Sequence, residues 1–151
     1  ASGALPGVAA ARVGQSEMAR RFCRQTAAAD LADMHAALDG GVHIAALGGM
    51  WMMAVLGLAG LTMNESGLGL NPQLPDGWQS LAFSVQWRGR HISVSVDADR
   101  KAIQATLTSG EPMAITVGEE QHELGRETPL VIGLVRNCMA KLPVVYGMRP
   151  R

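Results

Sequence analysis

The sequence predicts an α+β protein in which two helices precede a small antiparallel β-sandwich. Apolar residues recur with a helical period up to about residue 62, whereas apolar and polar residues alternate over several segments between residues 83 and 117. The apolar fraction of 48% is large enough for a packed core. We therefore divide the chain into a helical part over residues 1–62, a strand part over 63–130, and a tail over 131–151 to which the sequence assigns no role.

The first predicted helix runs from Ser16 to Leu38. Serine is a favoured N-cap because its hydroxyl accepts a hydrogen bond from a free N–H group of the first turn. Gly40 and Gly41 follow, and glycine readily adopts the left-handed backbone that ends a helix. One side of the helix carries the apolar residues Met18, Phe22, Ala29, Met34 and Leu38. The helix is therefore amphipathic, with one face available for packing.

The second predicted helix, from about Ile44 to Leu61, lies in a stretch of 25 residues, 40–64, without Asp, Glu, Lys or Arg. A membrane span needs about 20 mostly apolar residues, so a transmembrane helix is one interpretation. However, no basic cluster flanks the stretch to set an orientation. A helix that is apolar all round is equally typical of the interior of a large soluble protein. We favour the buried helix, which a helical hairpin and a small sheet cannot cover by themselves.

Period-two alternation predicts the strands of the second part. The first two flank a turn at Arg88-Gly89 and form a hairpin with one buried and one solvated face. Five successive strands are predicted. The inward positions of the first four are Phe83, Val85 and Trp87; Ile92, Val94 and Val96; Ile103, Ala105 and Leu107; and Ile115 and Val117. The fifth strand is a short segment at 122–124. Several short strands separated by regular turns indicate an antiparallel sandwich.

Charge and cysteine usage exclude several classes of protein. Thirteen basic and thirteen acidic residues give no net charge, which argues against a nucleic-acid partner. Cys23 and Cys138 follow neither a disulfide framework nor a metal-ligand spacing, so we interpret them as reduced thiols of a cytoplasmic protein without a metal. The charged fraction of 17% is low for a free-standing domain, which suggests that part of the surface is covered in the native setting.

The segment around His43 is the strongest candidate for chemistry. A glycine turn delivers His43 to the start of a helix, and the pair Gly48-Gly49 follows shortly after. Helix N-termini favour anions such as phosphate because their first N–H groups are unpaired and the dipole is positive there. Glycine lets a ligand or another helix approach the backbone closely. From the residues alone, His43 as a structural histidine and His43 as an anion ligand both stay open.

The order and spacing of several motifs between Phe22 and Val96 resemble the C-terminal end of glycoside hydrolase family 65, which includes maltose, trehalose and kojibiose phosphorylases. The motifs that carry the resemblance are Arg24-Gln25-Thr26-Ala27, Asp30-Leu31, Asp33-Met34-His35, Gly41-Val42-His43-Ile44-Ala45, Gly48-Gly49-Met50-Trp51, Gly57-Leu58-Ala59-Gly60-Leu61, Leu70-Asn71-Pro72-Gln73-Leu74-Pro75, Trp78-Gln79-Ser80-Leu81 and Trp87-Arg88-Gly89-Arg90. Their order and spacing match over about half of the chain, and the match fades after about Val117.

The resemblance implies that the helices are the last helices of an (α/α)6 barrel and that the strands form the small sandwich that follows it. The family cleaves α-glucosidic bonds of disaccharides with inversion, using a glutamic acid as the general acid and either inorganic phosphate or water as the nucleophile. No residue here matches the motif of that glutamate. The resemblance therefore implies an enzyme piece that is inactive alone, with no catalytic residue of its own, no cofactor other than phosphate as a co-substrate, and the upstream barrel as its partner.

The resemblance also places His43 near the phosphate site, with Gly48 and Gly49 as neighbouring anion-binding candidates. Family phosphorylases often carry serine at the position of Ala46, so alanine leaves phosphorolysis and hydrolysis both open. Trp51, Trp78 and Trp87 are interpreted as packing residues rather than sugar platforms. A runner-up hypothesis is a non-catalytic sugar-binding or interaction module built on the sandwich, and a third is a small membrane-anchored protein. The main hypothesis predicts neither a nucleic-acid nor a membrane partner and allows a homo-oligomer.

Overall fold

The computed structural model describes residues 4–31, 44–126 and 128–134. Its helices are α1 (Ala4–Arg12), α2 (Ser16–Leu31) and α3 (Ile44–Met52), and a π-helical segment over Met53–Leu58 continues α3 directly. Helix α2 begins at Ser16 as predicted, whereas its predicted end at Leu38, the glycine turn at Gly40 and Gly41, and His43 lie outside the described residues. The second predicted helix begins at Ile44 but ends at Leu58, three residues early.

Helix α1 was not predicted, because Pro6 and Gly7 suggest a loop. Proline is tolerated in the first turn of a helix, where its missing N–H group would have no intrahelical partner. Gly7 is buried against Met53, and a Cβ atom there would collide with the Met53 sulfur. Gly57 in the π-helical segment likewise faces the backbone of Val8, 3.3 Å from where its own Cβ would stand. Gly7 therefore makes room for the Met53 side chain and Gly57 for the backbone of α1, which lets α1 pack closely against the π-helical segment.

Eight strands form two four-stranded sheets, with the orders β1-β2-β6-β7 and β3-β4-β5-β8. The strands are β1 (Thr62–Asn64), β2 (Gly67–Leu70), β3 (Ser80–Trp87), β4 (Arg90–Asp97), β5 (Ala102–Ser109), β6 (Met113–Val117), β7 (Glu120–Leu124) and β8 (Leu130–Gly133). The five predicted strands correspond to β3 through β7. The short strands β1, β2 and β8 were missed.

The predicted hairpin is present, and its turn explains its geometry. β3 and β4 pair residue for residue from Ser80 opposite Asp97 to Trp87 opposite Arg90. Arg88 and Gly89 connect them with φ angles of 47° and 74°. Two consecutive positive φ angles are typical of the type I′ turn, whose twist matches that of a two-residue hairpin.

The prediction of a wholly antiparallel sandwich was wrong at one pairing. β2 runs parallel to β6, with Leu68 opposite Ile115 and Leu70 opposite Val117. Parallel neighbours need a long crossover connection. Here the chain leaves β2, builds β3, β4 and β5 of the other sheet, and only then returns as β6. The other strand pairs of both sheets are antiparallel.

The two sheets share one apolar core, and the helices form a smaller one beside it. The sandwich core contains buried residues of both sheets together with Val55 and Leu61 from the helical side of the junction. The helical core joins Ala10, Ala11, Ala19 and Leu58, with Trp78 and two leucines packed against it. Among the described helices, we find none that is both long enough and apolar enough to cross a membrane.

Candidate functional site

The start of α3 is the described part of the predicted anion site. His43 lies outside the described residues, but α3 begins at Ile44, the position directly after it. The free N–H groups of α3 are those of the first turn, because each later N–H donates to the carbonyl four residues earlier.

Gly48 and Gly49 lie inside α3 on different sides of the helix. Gly48 is exposed, and a Cβ atom added there would meet no atom within 4 Å. Gly49 is buried. Because both residues follow the first turn, their N–H groups are committed to carbonyls of the helix itself. Gly48 can therefore offer an open stretch of backbone to an approaching group, whereas Gly49 offers close packing on the inner side.

Gly48 shares its side of α3 with a row of exposed apolar side chains. Ile44 is 81% exposed, Leu47 is 50% exposed and Trp51 is 48% exposed. Their spacing of three and four residues places Ile44, Leu47, Gly48 and Trp51 along one face of the helix. We call these four residues the α3 face. Helices of globular proteins normally turn such an apolar stripe toward a core, so this face is typical of a contact surface.

The α3 face has no charge of its own, since the sequence from Ile44 to Met52 contains no ionisable side chain. Shifted pKa values among the described helical residues belong to α2. There the hydrogen bonds from Arg20 to Glu17, 2.7 and 2.9 Å long, lower the pKa of the Glu17 carboxyl and raise that of Arg20. Desolvation raises the pKa of the Cys23 thiol. Because α3 has no charged side chain, its attraction for an anion comes from the positive N-terminal end of its helix dipole.

The described residues do not build a catalytic acid or a metal centre. Among the residues whose burial is described, none of the buried ones is charged. Within the same ranges, no three His, Cys, Asp or Glu side chains lie close enough together to hold a metal ion.

The outer face of the sheet β3-β4-β5-β8 is the second candidate surface. A shallow depression there is lined by small polar and apolar residues, and the Ser84 and Ser93 hydroxyls lie 3.0 Å apart. Phe83 and Trp87 pack against the core on the opposite side. Among the residues that line the depression, the aromatic one is Phe83, whose side chain is partly buried against the sandwich core.

The three tryptophans occupy different environments. Trp87 packs against the sandwich core, and Trp78 packs against the helical core formed by Ala10, Ala11, Ala19 and Leu58. Trp51 is half exposed on the α3 face. The sequence interpretation missed this face, although the spacing of Ile44, Leu47 and Trp51 was visible, because an uncharged stretch gives no polar side by which to orient the helix.

Comparisons with known proteins find a family model and individual relatives that agree with one another. Residues 61–124 match the glycosyl hydrolase family 65, C-terminal domain. The chain is 42% identical over 125 residues to an alpha,alpha-trehalose phosphorylase of Geobacillus stearothermophilus, an alignment that covers 83% of this chain and 16% of that protein. It is 39% identical over 123 residues to a kojibiose phosphorylase of Escherichia coli, covering 79% of this chain and 16% of that protein.

A solved structure shares the fold. A human-microbiome protein assigned as a kojibiose phosphorylase superposes with a TM-score of 0.75 at 24% identity, covering 87% of this chain and 17% of that one. The superposition includes more of the chain than the 64 residues between 61 and 124, so the fold likeness extends beyond the sandwich. This chain thus spans about one sixth of the length of the relatives named here.

Proposed function

Because the chain belongs to glycoside hydrolase family 65, we propose that it is the C-terminal part of an enzyme that cleaves α-glucosidic bonds of disaccharides with inversion, by phosphorolysis or hydrolysis. The curated relatives named above are trehalose and kojibiose phosphorylases, which supports a disaccharide substrate. The general acid belongs to the upstream part of such an enzyme. On this proposal, the chain alone is inactive, works in the cytoplasm, and requires no cofactor beyond phosphate as a co-substrate.

The local role that we propose is to close an upstream (α/α)6 barrel with α2 and α3. The α3 face carries this proposal, since three large apolar side chains there are about half exposed or more. Fully burying a side chain of this size stabilises a protein by roughly 1.5–3 kcal/mol. Since parts of Leu47 and Trp51 are already covered, docking of the face against another helix would yield about 3–5 kcal/mol in total.

The second element of the proposal is an anion-binding wall at the start of α3. His43 would donate a hydrogen bond to phosphate, and the unpaired N–H groups of the first turn would add the positive end of the helix dipole. Gly48 would leave the backbone open for substrate or for a helix of the barrel. Gly49 would contribute by close packing on the inner side of α3, since it is buried.

Reconstitution tests the barrel-closing role. Residues 1–151 and a separately produced upstream barrel are assayed alone and together for release of glucose or glucose 1-phosphate from maltose, trehalose and kojibiose. We expect activity only in the mixture. Leu47→Ser should raise the concentration of this chain needed for half-maximal activity by about tenfold, because an apolar contact worth about 1.4 kcal/mol is lost. Activity of the lone chain would refute the proposal.

A matched control separates the α3 face from apolar exposure in general. Met63 in β1 is 52% exposed, close to the 50% of Leu47, but lies on the sandwich. Met63→Ser should leave the half-maximal concentration unchanged. Equal effects of the two substitutions would show that the α3 face has no special part in assembly.

Phosphate dependence tests the anion wall within the reconstituted enzyme. If the wall holds phosphate, glucose 1-phosphate forms only when phosphate is present, and His43→Ala raises the KM for phosphate more than the KM for the disaccharide. His91→Ala, in the β3–β4 hairpin, serves as the control histidine and should change neither value. Formation of glucose at the same rate without phosphate would assign the enzyme to hydrolysis.

A further inference from the structure

Asp76 and Gly77 form an exposed turn in the loop that joins β2 to β3. The Pro75 carbonyl oxygen accepts a hydrogen bond of 3.1 Å from the Trp78 N–H, which closes the turn around the pair. Gly77 has a φ angle of +85°, and a Cβ atom added there would meet no atom within 4 Å. The peptide bond after Asp76 is therefore unobstructed on its glycine side.

The two groups of this turn that can react with each other are both uncommitted. Among the described residues, the Gly77 N–H has no acceptor, and the Asp76 carboxylate has neither a hydrogen-bond donor nor an ion-pair partner. Attack of the Gly77 nitrogen on the side-chain carboxyl carbon of Asp76 would close a five-membered ring. Glycine favours this closure because it has no Cβ to hinder the approach of its own nitrogen.

The two other aspartates between residues 44 and 134 lack this freedom. The Asp97 carboxylate accepts a hydrogen bond of 2.8 Å from the Arg100 N–H. The nitrogen that follows Asp97, that of Ala98, donates to the Gln79 carbonyl oxygen at 2.8 Å. The nitrogen that follows Asp99 is that of Arg100, which is already bound to Asp97. Ring closure at either aspartate would first have to break a hydrogen bond of the β4–β5 turn.

The two asparagines of the same range are restrained in other ways. The Asn64 side-chain oxygen accepts hydrogen bonds of 2.9 and 3.0 Å from the Ser66 and Gly67 N–H groups. Asn71 precedes Pro72, whose nitrogen carries no hydrogen and cannot close the ring. Among the described residues from 44 onward, the pair at 76–77 thus combines a free carboxylate, a free N–H and a following glycine.

We propose that Asp76-Gly77 is a site of spontaneous isomerisation, at which the main chain is rerouted through the Asp76 side chain to give isoaspartate. The Gly77 nitrogen loses its proton and bonds to the Asp76 Cγ atom, and the hydroxyl of the carboxyl group leaves as water. Water then adds to one of the two carbonyl carbons of the ring and breaks its bond to nitrogen. Addition at Cγ restores aspartate, and addition at the Asp76 main-chain carbonyl carbon gives isoaspartate.

The product would lengthen the junction between the sandwich and the helical part by one main-chain methylene group. Trp78 packs against the helical core, and Leu74 packs against both cores. The hydrogen bond between Pro75 and Trp78 spans the pair, so a longer main chain changes the separation that this bond bridges. Isomerisation should therefore loosen Trp78 from the helical core. This chemistry does not depend on the enzymatic role proposed above.

Incubation of the full chain at neutral pH and physiological temperature tests the proposal. Isoaspartate is quantified by methylation with an isoaspartyl methyltransferase, and peptide mapping assigns its position. We expect it to accumulate at residue 76 at a rate within about threefold of that in a synthetic peptide of residues 71–81, because the exposed turn restrains neither reacting group. The modified fraction, separated by chromatography, should unfold at a lower urea concentration than the unmodified fraction.

Three variants distinguish the open turn from the Asp-Gly sequence alone. Asp76→Glu keeps the charge but would need a six-membered ring, so the modification at this position should disappear. Gly77→Ala should slow the reaction about tenfold, because its methyl group hinders ring closure. Ala98→Gly places a second Asp-Gly pair at Asp97, where the N–H and the carboxylate are both committed. Isoaspartate should form at Asp97 about tenfold more slowly than at Asp76 in that variant.

Three results would overturn the proposal. The full chain could accumulate no isoaspartate at residue 76 while the peptide does. The Ala98→Gly variant could form isoaspartate at Asp97 as fast as at Asp76, which would show that the fold does not select the site. The modified and unmodified fractions could unfold at equal urea concentrations, which would contradict the expected loosening of Trp78.

Discussion

The sandwich and the helical part differ in how completely they bury their own apolar side chains. The inward residues of β4 and β5, from Ile92 to Leu107, are all buried between two sheets that this chain supplies itself. The helical core is built mainly from alanines, while Ile44, Leu47 and Trp51 remain exposed on α3. A sandwich supplies both of its layers from one chain, whereas a pair of short helices supplies only one side of a contact.

This difference separates two kinds of apolar residue that look alike in the sequence. An apolar residue of the sandwich contributes to the stability of the chain itself. An apolar residue of the α3 face contributes only when another surface covers it. The following substitutions test that distinction, beginning with the largest expected effect.

Ile92→Ala should lower the free energy of unfolding of the chain by about 2–5 kcal/mol, because a fully buried side chain leaves a cavity in the sandwich core. Leu47→Ala should change it by less than about 0.5 kcal/mol, since a half-exposed helical residue loses little and alanine favours the helix. Urea denaturation followed by circular dichroism measures both. Comparable losses would mean that the α3 face is already part of a closed core.

Gly60→Ala should lower the free energy of unfolding by about 2–4 kcal/mol, because it strains the junction between the two parts. Gly60 has a φ angle of +62°, and an added Cβ would collide with the carbonyl oxygen of Asn71. The neighbouring Leu58 carbonyl accepts a hydrogen bond of 2.7 Å from the Gln73 N–H, so the loop has little freedom to withdraw.

Gly77→Ala is the matched control for the junction. Gly77 also has a positive φ angle, +85°, but a Cβ there would meet no atom within 4 Å. Its cost should be that of the left-handed backbone alone, about 1–2 kcal/mol. Thermal denaturation of both variants checks the difference, and equal costs would mean that the contact with Asn71 is relieved without strain.

Arg12→Met should lower the free energy of unfolding by about 1 kcal/mol. The Arg12 Nε atom donates to the Leu56 carbonyl oxygen at 3.3 Å, and Leu56 lies in the π-helical segment. Methionine keeps most of the apolar stem but removes the donor, so one carbonyl near the helix end loses its partner. Arg21→Met in α2 is the control. The urea midpoint should be lower for Arg12→Met than for Arg21→Met.

The smallest expected effect is a pH dependence of the free energy of unfolding that arises from Cys23. Burial raises the pKa of its thiol in the folded chain. When the pH rises past the ordinary thiol pKa, the unfolded chain releases this proton before the folded chain does. The free energy of unfolding should therefore fall with rising pH between the ordinary and the raised value. Urea midpoints in alkaline buffers should decline more steeply for the unmodified chain than for Cys23→Ser, and parallel declines would contradict the prediction.

The longer elements could be predicted because one side of each faces solvent, which gives a regular pattern of apolar and polar residues. β3 to β7 alternate between core and solvent, and α2 begins at a capping serine. Strands β1, β2 and β8 have only three or four residues, too few for a period to stand out, and their partners are distant in the chain. Helix α1 was hidden because the reason for Gly7, its contact with Met53, lies in another element.

The candidate site divides in the same way. That Gly48 and Gly49 lie within a helix followed from the local apolar pattern of residues 44–61. The opposite orientations of Gly48 and Gly49 did not, since a glycine carries no side chain to indicate a face. The exposure of the α3 face could not be predicted either, because it depends on which residues of α3 are covered by α1 and α2.

By itself, the sequence determined that helices precede a β-sandwich, that α2 begins at Ser16, roughly where the strands β3 to β7 lie, and which family's motifs the chain carries. Each of these follows from interactions between residues close together in the chain, or from motifs that can be compared directly. Only the tertiary structure decided that β2 runs parallel to β6, that two glycines let α1 pack closely against the π-helical segment, and that the apolar side chains of the α3 face are exposed among the described residues. These depend on which distant segments meet, and that choice is made by the packing of the whole molecule rather than by any local pattern.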